Sequence, residues 1–303
     1  MNRKAFCSLP EASRQQMIEI GPLWARDIVA NRKMVIAAYT PVLESVDRTG
    51  ILIDRETAYG PDIRHRLDVY RREGLKGAPV VVFIHGGAFI RGDKDSNTEI
   101  YGNVPRYFAR HGCVALNVEY RLAPQAIYPC GAQDTQRAVE WVREHAHEFG
   151  GDAQRIVLIG HSAGAAHAGA YVCDPVVRPT AGHGLAGLAL ISGRLRADVR
   201  LDNPNANAVR AYYGEDESLY EQRSVVTNAD KLDIPVFLAV AEFENPYLDV
   251  YTAEFAACVG ERRGRMPRFL QMAGHNHTSI VAHFDSGEEA LGEELLTFVR
   301  NPR

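Results

Sequence analysis

The sequence predicts an α/β fold: eight strands in one mostly parallel sheet, with helices on both faces. Three observations lead there. Short apolar runs, most of them rich in β-branched residues, recur along the 303 residues and are too short for helices, so they read as buried strands. Longer helical segments separate them, which is the alternation that builds a parallel sheet covered on both sides. No second strand–helix series begins later, so residues 1–303 read as a single domain.

The apolar runs are Val80–Ile84, Cys113–Val118, Ile156–Ile159, Leu185–Ile191, Val236–Ala241 and Phe269–Met272. Two more strands precede them, Ile51–Ala58 and His65–Tyr70. The turn residues Gly60-Pro61-Asp62 between these two predict an antiparallel hairpin at one edge. Helices are expected at about Asn97–His111, Ala132–Phe149, Ala163–Cys173, Tyr247–Val259 and Glu288–Val299. In the second of these, Ala138, Trp141, Val142 and His145 fall on one face. Residues 1–45 stand apart as a polar, helical segment broken at Pro10, Gly21-Pro22 and Pro41. The connection Arg194–Leu232 is the longest without a strand, and such length inside a compact domain points to function.

Composition narrows the function. Hydrophobic residues make up 46% and charged residues 24%, with a net charge of −4, so there is no general basic field for nucleic acid. Five cysteines are widely spaced with no CxxC pair, which fits reduced thiols in the cytoplasm. No apolar stretch follows the basic start Met1-Asn2-Arg3-Lys4, and none is long enough for a membrane helix, so neither a signal peptide nor a membrane partner is expected. A homo-oligomer is compatible with all of this. Without a G-x-G-x-x-G or P-loop pattern, no nucleotide cofactor is expected.

The chemistry starts at Gly160-His161-Ser162-Ala163-Gly164. It follows a strand and opens an Ala-rich helix, the setting of a nucleophile elbow. Small residues two before and two after the serine let neighbouring backbone approach a strained turn. The second motif is His85-Gly86-Gly87-Ala88-Phe89, at the end of another strand. Acyl transfer needs fixed N–H donors for the developing oxyanion. Gly87 and Ala88, with Ala163 after the serine, supply three candidates.

These motifs, together with Glu119-Tyr120-Arg121-Leu122-Ala123-Pro124, carry a resemblance to the α/β-hydrolase superfamily and within it to the hormone-sensitive-lipase-like esterases. The similarity runs from about residue 50 to the C-terminus. Two details depart: Ala88 stands where a third glycine is usual, and His161 where Asp is common before the serine. Gly-His-Ser-Ala-Gly-Ala with Ile191-Ser192-Gly193 also resembles arylformamidases. The resemblance implies a cap from residues 1–45 and part of 194–232.

A serine nucleophile needs a base, and the base an acid. The chain order in this fold is serine, acid, histidine. The acid is sought among Glu242, Glu244 and Asp249, after the strand Val236–Ala241. The resemblance implies Glu244, with Glu242 structural at the strand end. The base is sought between His275 and His277, and related enzymes point to His277. His275, His277 and His283 could also be read as zinc ligands, but no cysteine or patterned carboxylate joins them, so no metal is expected. His161 is expected to shape the elbow, His167 to pack, Tyr120–Pro124 to brace the sheet, and Arg91–Lys94 to form a solvated loop. The expected function is a serine hydrolase of small carboxylic esters. The alternatives are an amide or formamide hydrolase, or a non-catalytic small-molecule binding protein.

Overall fold

A computed structural model describes residues 5–303; residues 1–4 of the expected cap lie outside them. The chain opens with two helices, α1 (Glu11–Ile20) and α2 (Ile28–Glu44). Three strands follow, β1 (Ile51–Ala58), β2 (Arg66–Arg72) and β3 (Ala78–Ile84). The alternating part runs α3 (Asn103–Arg110), β4 (Val114–Val118), α4 (Cys130–His145), β5 (Gly151–His161), α5 (Ala163–Cys173) and β6 (Gly187–Ile191). It closes with α6 (Ala206–Tyr213), β7 (Val236–Phe243), α7 (Leu248–Arg263), β8 (Arg268–Asn276), α8 (Ser279–Ala282) and α9 (Ala290–Arg300).

The eight strands lie in the order β1-β2-β4-β3-β5-β6-β7-β8. The hairpin β1–β2 is antiparallel at the edge, and β2 meets β4 antiparallel. Every other pairing is parallel. Successive side chains point to opposite faces of a strand. On β3, Val80, Val82 and Ile84 therefore face the layer of α4, α5 and α7, while Val81 and Phe83 face α3, α8 and α9. With both faces covered, the central strands carry apolar residues continuously, which made them legible.

The N-terminal segment belongs to the second layer. Phe6, Leu9, Met17, Trp24, Tyr39 and Leu43 are all buried in it. Asp27 starts α2 by accepting from the Ala30 amide at 2.9 Å. Pro41 does not break this helix as expected. It sits in the last turn, where its missing N–H costs one bond near an end that is already losing partners. The helix expected from Asn97 begins at Asn103 instead. The Asn97 side chain accepts from the amides of Glu99 and Ile100 and holds residues 97–100 in a turn. The long connection contains α6, which buries Ala208, Val209, Tyr212 and Tyr213. Among the described residues no helix is long and apolar enough to cross a membrane.

In the segment Arg91–Lys94, Arg91 and Asp93 are exposed at the cleft, as expected of a solvated loop, but Lys94 is not. Lys94 is 3% exposed. Its ammonium meets Glu56 at 2.5 Å, Asp95 at 2.6 Å and the fully buried Asp68 at 3.1 Å. The Lys94 amide donates to Glu119, and its carbonyl accepts from Asn117. The loop after β3 is thus clamped to the β2–β4 side of the sheet. A buried charge must be paired, and deleting one partner strands the others. Lys94→Met should lower unfolding free energy by about 3 kcal/mol in urea titration. An unchanged midpoint would mean that Arg55, which also meets Asp68 at 2.9 Å, balances it without Lys94.

Candidate active site

In a parallel sheet the strands end on one edge, and the loops leaving them meet there. Four such loops converge: after β3 (residues 85–92), β5 (Ser162), β7 (residues 244–247) and β8 (His277). Ser162 has φ 57° and ψ −117°, a backbone conformation few side chains adopt. Its amide is tied to Ile191 carbonyl on β6 at 3.0 Å. The flanking glycines are required by space. A Cβ on Gly160 would come within 2.5 Å of the Gly164 carbonyl oxygen, and one on Gly164 within 2.2 Å of the Ile84 carbonyl oxygen. Helix α5 therefore enters in direct backbone contact with the end of β3.

Ser162 Oγ donates to His277 Nε2 at 3.0 Å, and His277 Nδ1 donates to Glu244 Oε2 at 2.7 Å. The other Glu244 oxygen accepts from the Ala241 amide at 2.8 Å and from the Ser192 hydroxyl. This carboxylate is thus held by three donors, and the imidazole it faces is fixed in one tautomer. Of the carboxylates considered, Glu242 instead accepts from the Gly274 amide at 2.6 Å. Asp249 lies in the first turn of α7.

The two histidines separate cleanly. His275 is buried, with Nε2 on Glu288 at 2.8 Å and Nδ1 on Ser279 Oγ at 3.1 Å. Glu288 also accepts from the Phe6 amide, so this pair stitches the N-terminal segment to the core. His283 turns its Nδ1 to the Ser279 carbonyl at 3.0 Å.

The loop after β3 presents its amides beside the serine. Gly87 has φ 156°, and a Cβ there would lie 1.7 Å from the Arg91 carbonyl oxygen. Ala88 takes φ 50°, a left-handed conformation that costs an L-residue about 1 kcal/mol; this is where a glycine was expected from the resemblance. Among the described residues, none accepts a hydrogen bond from the Gly87, Ala88 or Ala163 amides. A recess of about 10 Å³ lies between Ala88, Ser162 and Ala163, room for about one oxygen-sized atom.

Supporting groups surround this core. His161 Nε2 donates to the His277 carbonyl at 3.0 Å, so the residue before the serine anchors the loop of the base. Tyr120 OH donates to the His85 carbonyl at 3.0 Å, and the His85 ring stacks on Tyr120 at 4.5 Å. Arg121 forks onto the buried Asp134. His167 packs against Phe89, Tyr120 and Tyr212. Sequence reasoning missed Trp24, Asn245, Tyr101 and Arg32. Trp24 Nε1 donates to Asn245 Oδ1 at 2.9 Å across 221 residues, and no local pattern marks such a pair. A cleft of about 620 Å³ opens over Ser162 and His277. Trp24, Ile28, Val29, Arg32 and Lys33 line it from the N-terminal segment, and Pro204 and Asn205 from the long connection.

The fold has counterparts. A family model described as BD-FAE matches residues 67–172, from β2 to α5, including Ser162 and the Gly-Gly loop. Esterase LipC of Mycobacterium tuberculosis is 37% identical over 126 residues, 40% of this chain and 30% of LipC. The match thus spans under a third of that relative. Esterase B from Lactobacillus Rhamnosis superposes with a TM-score of 0.72 at 19% identity, over 95% of this chain and 96% of that one. It has also been solved inhibited by a tributyrin phosphonate. The hyperthermophilic esterase of Pyrobaculum calidifontis gives 0.72 at 20% identity, over 96% and 98%. At such identities the shared feature is the fold.

Burial holds several imidazoles around the site neutral. It lowers His85 to about 4 and His167 to about 3, and drives His161 well below the usual imidazole value, with the nearby His277 adding to the effect. The unfolded chain therefore binds more protons than the folded one below pH 6.5. Stability contributed by these groups is complete above that pH and declines as pH falls toward the folded values. Urea titrations should show a loss of at least about 1 kcal/mol per pH unit between pH 6 and 5; a flat profile from pH 7 to 5 would contradict neutral burial.

Proposed function

Starting from a chain that has the α/β-hydrolase fold of known esterases, we propose that it is a serine carboxylesterase acting on small esters. Ser162 Oγ attacks the ester carbonyl while its proton passes to His277 Nε2. Glu244 holds the ring and stabilises the imidazolium. The carbonyl oxygen becomes an oxyanion and enters the recess between Ala88 and Ala163, whose amides donate to it together with that of Gly87 on the adjoining cleft. As the tetrahedral adduct collapses, the C–O bond to the alcohol breaks and His277 returns the proton to the leaving oxygen. Water, deprotonated by the same imidazole, then hydrolyses the acyl-serine and frees the acid. No metal or cofactor takes part in these steps.

The observation that carries this reading is the single hydrogen-bonded line Ser162–His277–Glu244, ending beside three uncommitted amides. A pure binding site has no use for a serine held in a strained turn against a polarised imidazole. The likeness to named esterases supports the same class. The N-terminal segment to residue 45 and the stretch around Pro204–Asn205 act as the cap, since both line the cleft. The five free thiols suit the cytoplasm.

Ser162→Ala should lower turnover by roughly 10⁶-fold while leaving the fold intact by circular dichroism; activity within twofold of wild type would refute the mechanism. His277→Ala should be nearly as inactive. His275→Ala should retain far more activity but lose stability, because it leaves the buried Glu288 short of a donor. If His275→Ala is instead the dead variant, the base is misassigned. Among p-nitrophenyl esters, acetyl to butyryl should exceed chains of eight carbons or more in kcat/KM. An aryl formamide measured alongside should be the poorer substrate.

A further inference from the structure

The cleft over Ser162 is lined by three cations, Arg32, Lys33 and Arg91, against one carboxylate, Asp93. Several arginines elsewhere reach carboxylates: Arg48 and Arg106 share Glu99, Arg121 meets Asp134 and Arg194 meets Asp198. Others, such as Arg155, Arg223 and Arg263, donate to backbone carbonyls. The cleft cations reach neither. Among the described residues, no carboxylate lies within 4.0 Å of the side-chain nitrogens of Arg32, Lys33 or Arg91. Each guanidinium spends one N–H on a neutral acceptor. Arg32 donates to Ser96 Oγ at 3.2 Å, and Arg91 donates to Asn205 Oδ1 at 3.1 Å. One Asp93 oxygen is occupied by the Asp95 amide of its own turn.

Like charges brought together need a reason. Burial, and then the charge of Arg32, push the Arg91 pKa down, so the two guanidiniums act on each other. The protein as a whole carries −4, so this positive mouth runs against the overall charge. A cleft lined by one sign of charge concentrates ligands of the other. Two planar guanidinium forks suit a carboxylate, which accepts pairs of parallel N–H bonds.

We propose that the ester hydrolysed at Ser162 carries a free carboxylate, and that Arg32 and Arg91, assisted by Lys33, bind it at the cleft mouth. This inference rests on the serine-esterase reading and names its substrate class. These residues set specificity and take no part in bond breaking. Val29, on the same wall as Arg32 and exposed, supplies apolar surface for the body of the substrate.

The test uses the full chain and two matched ester pairs. One pair places the charge on the acyl side, monoethyl succinate against ethyl butyrate. The other places it on the alcohol side, 4-acetoxybenzoate against its methyl ester. Results are read as the ratio of kcat/KM within a pair, so that any loss of folded enzyme cancels. In at least one pair the anionic member should lead by about tenfold, the scale of a charge-assisted contact at an accessible site, with the difference in KM. The ratio should shrink in Arg32→Gln and Arg91→Gln, approach one in the double variant, and fall as sodium chloride rises. Ratios at or below one in both pairs, or a ratio unchanged in the double variant, would overturn the proposal while leaving the esterase reading intact. If none of the four esters shows Ser162-dependent turnover, the esterase reading itself falls and takes this one with it.

Discussion

Everything at the sheet edge depends on one backbone-to-backbone contact. Gly164, in the first turn of α5, lies against the carbonyls of Ile84 and His85 at the end of β3, where even a methyl group would come within 2.2 Å of oxygen. That contact draws the elbow and the Gly86–Ala88 loop together, so that a Cβ on Gly86 would lie 2.9 Å from Ser162 Cβ. Ser162 and two of the three candidate oxyanion donors, Gly87 and Ala88, follow different strands. Their spacing is nevertheless set by van der Waals packing of main chain, which has almost no freedom to relax.

Around this contact the electrostatics are divided in two. Next to the serine, burial keeps imidazoles neutral, so His85, His161 and His167 act as hydrogen-bonding and stacking pieces and add no charge. One carboxylate, Glu244, is admitted there and is satisfied by three donors. Other full charges lie in ion-paired groups. The buried Lys94–Asp68 cluster clamps the loop after β3 to the antiparallel edge. Arg106 is paired with Glu99 and Asp285, and Arg194, on the lining of the recess beside Ser162, is paired with Asp198. The mouth of the cleft is cationic.

The N-terminal segment joins these parts. Its apolar side is packed into the same core layer as α3 and α9, while Trp24 and Arg32 reach the cleft. It is pinned at separate points, by Glu288 on the Phe6 amide and by Asn245 on the Trp24 indole. The anchors lie next to the loops that carry His277 and Glu244. The N-terminal segment is therefore tied to both of these loops.

Much of this molecule could be read directly. The strands were legible because strands buried on both faces must be apolar throughout, and the elbow because only glycine fits two positions before and two after its serine. Those are local consequences of global packing, and they leave a local trace in Val80–Ile84 and Gly160–Gly164. The roles of Glu244 over Glu242, and of His277 over His275, left no such trace in composition or spacing. Each pair is two residues apart on a strand end, and which member faces Ser162 follows from how β7 and β8 terminate against each other, with the His277 amide bonded to the Phe243 carbonyl. Lys94 shows the same limit. In sequence it is one charge in a charged loop, whereas its burial depends on Asp68 and Glu56 of the hairpin, 26 and more positions away. The sequence by itself determined the sheet, its order of chemistry and the serine. Only the tertiary structure decided which acid, which imidazole and which cations share the site, because those choices are made by contacts between segments far apart in the chain.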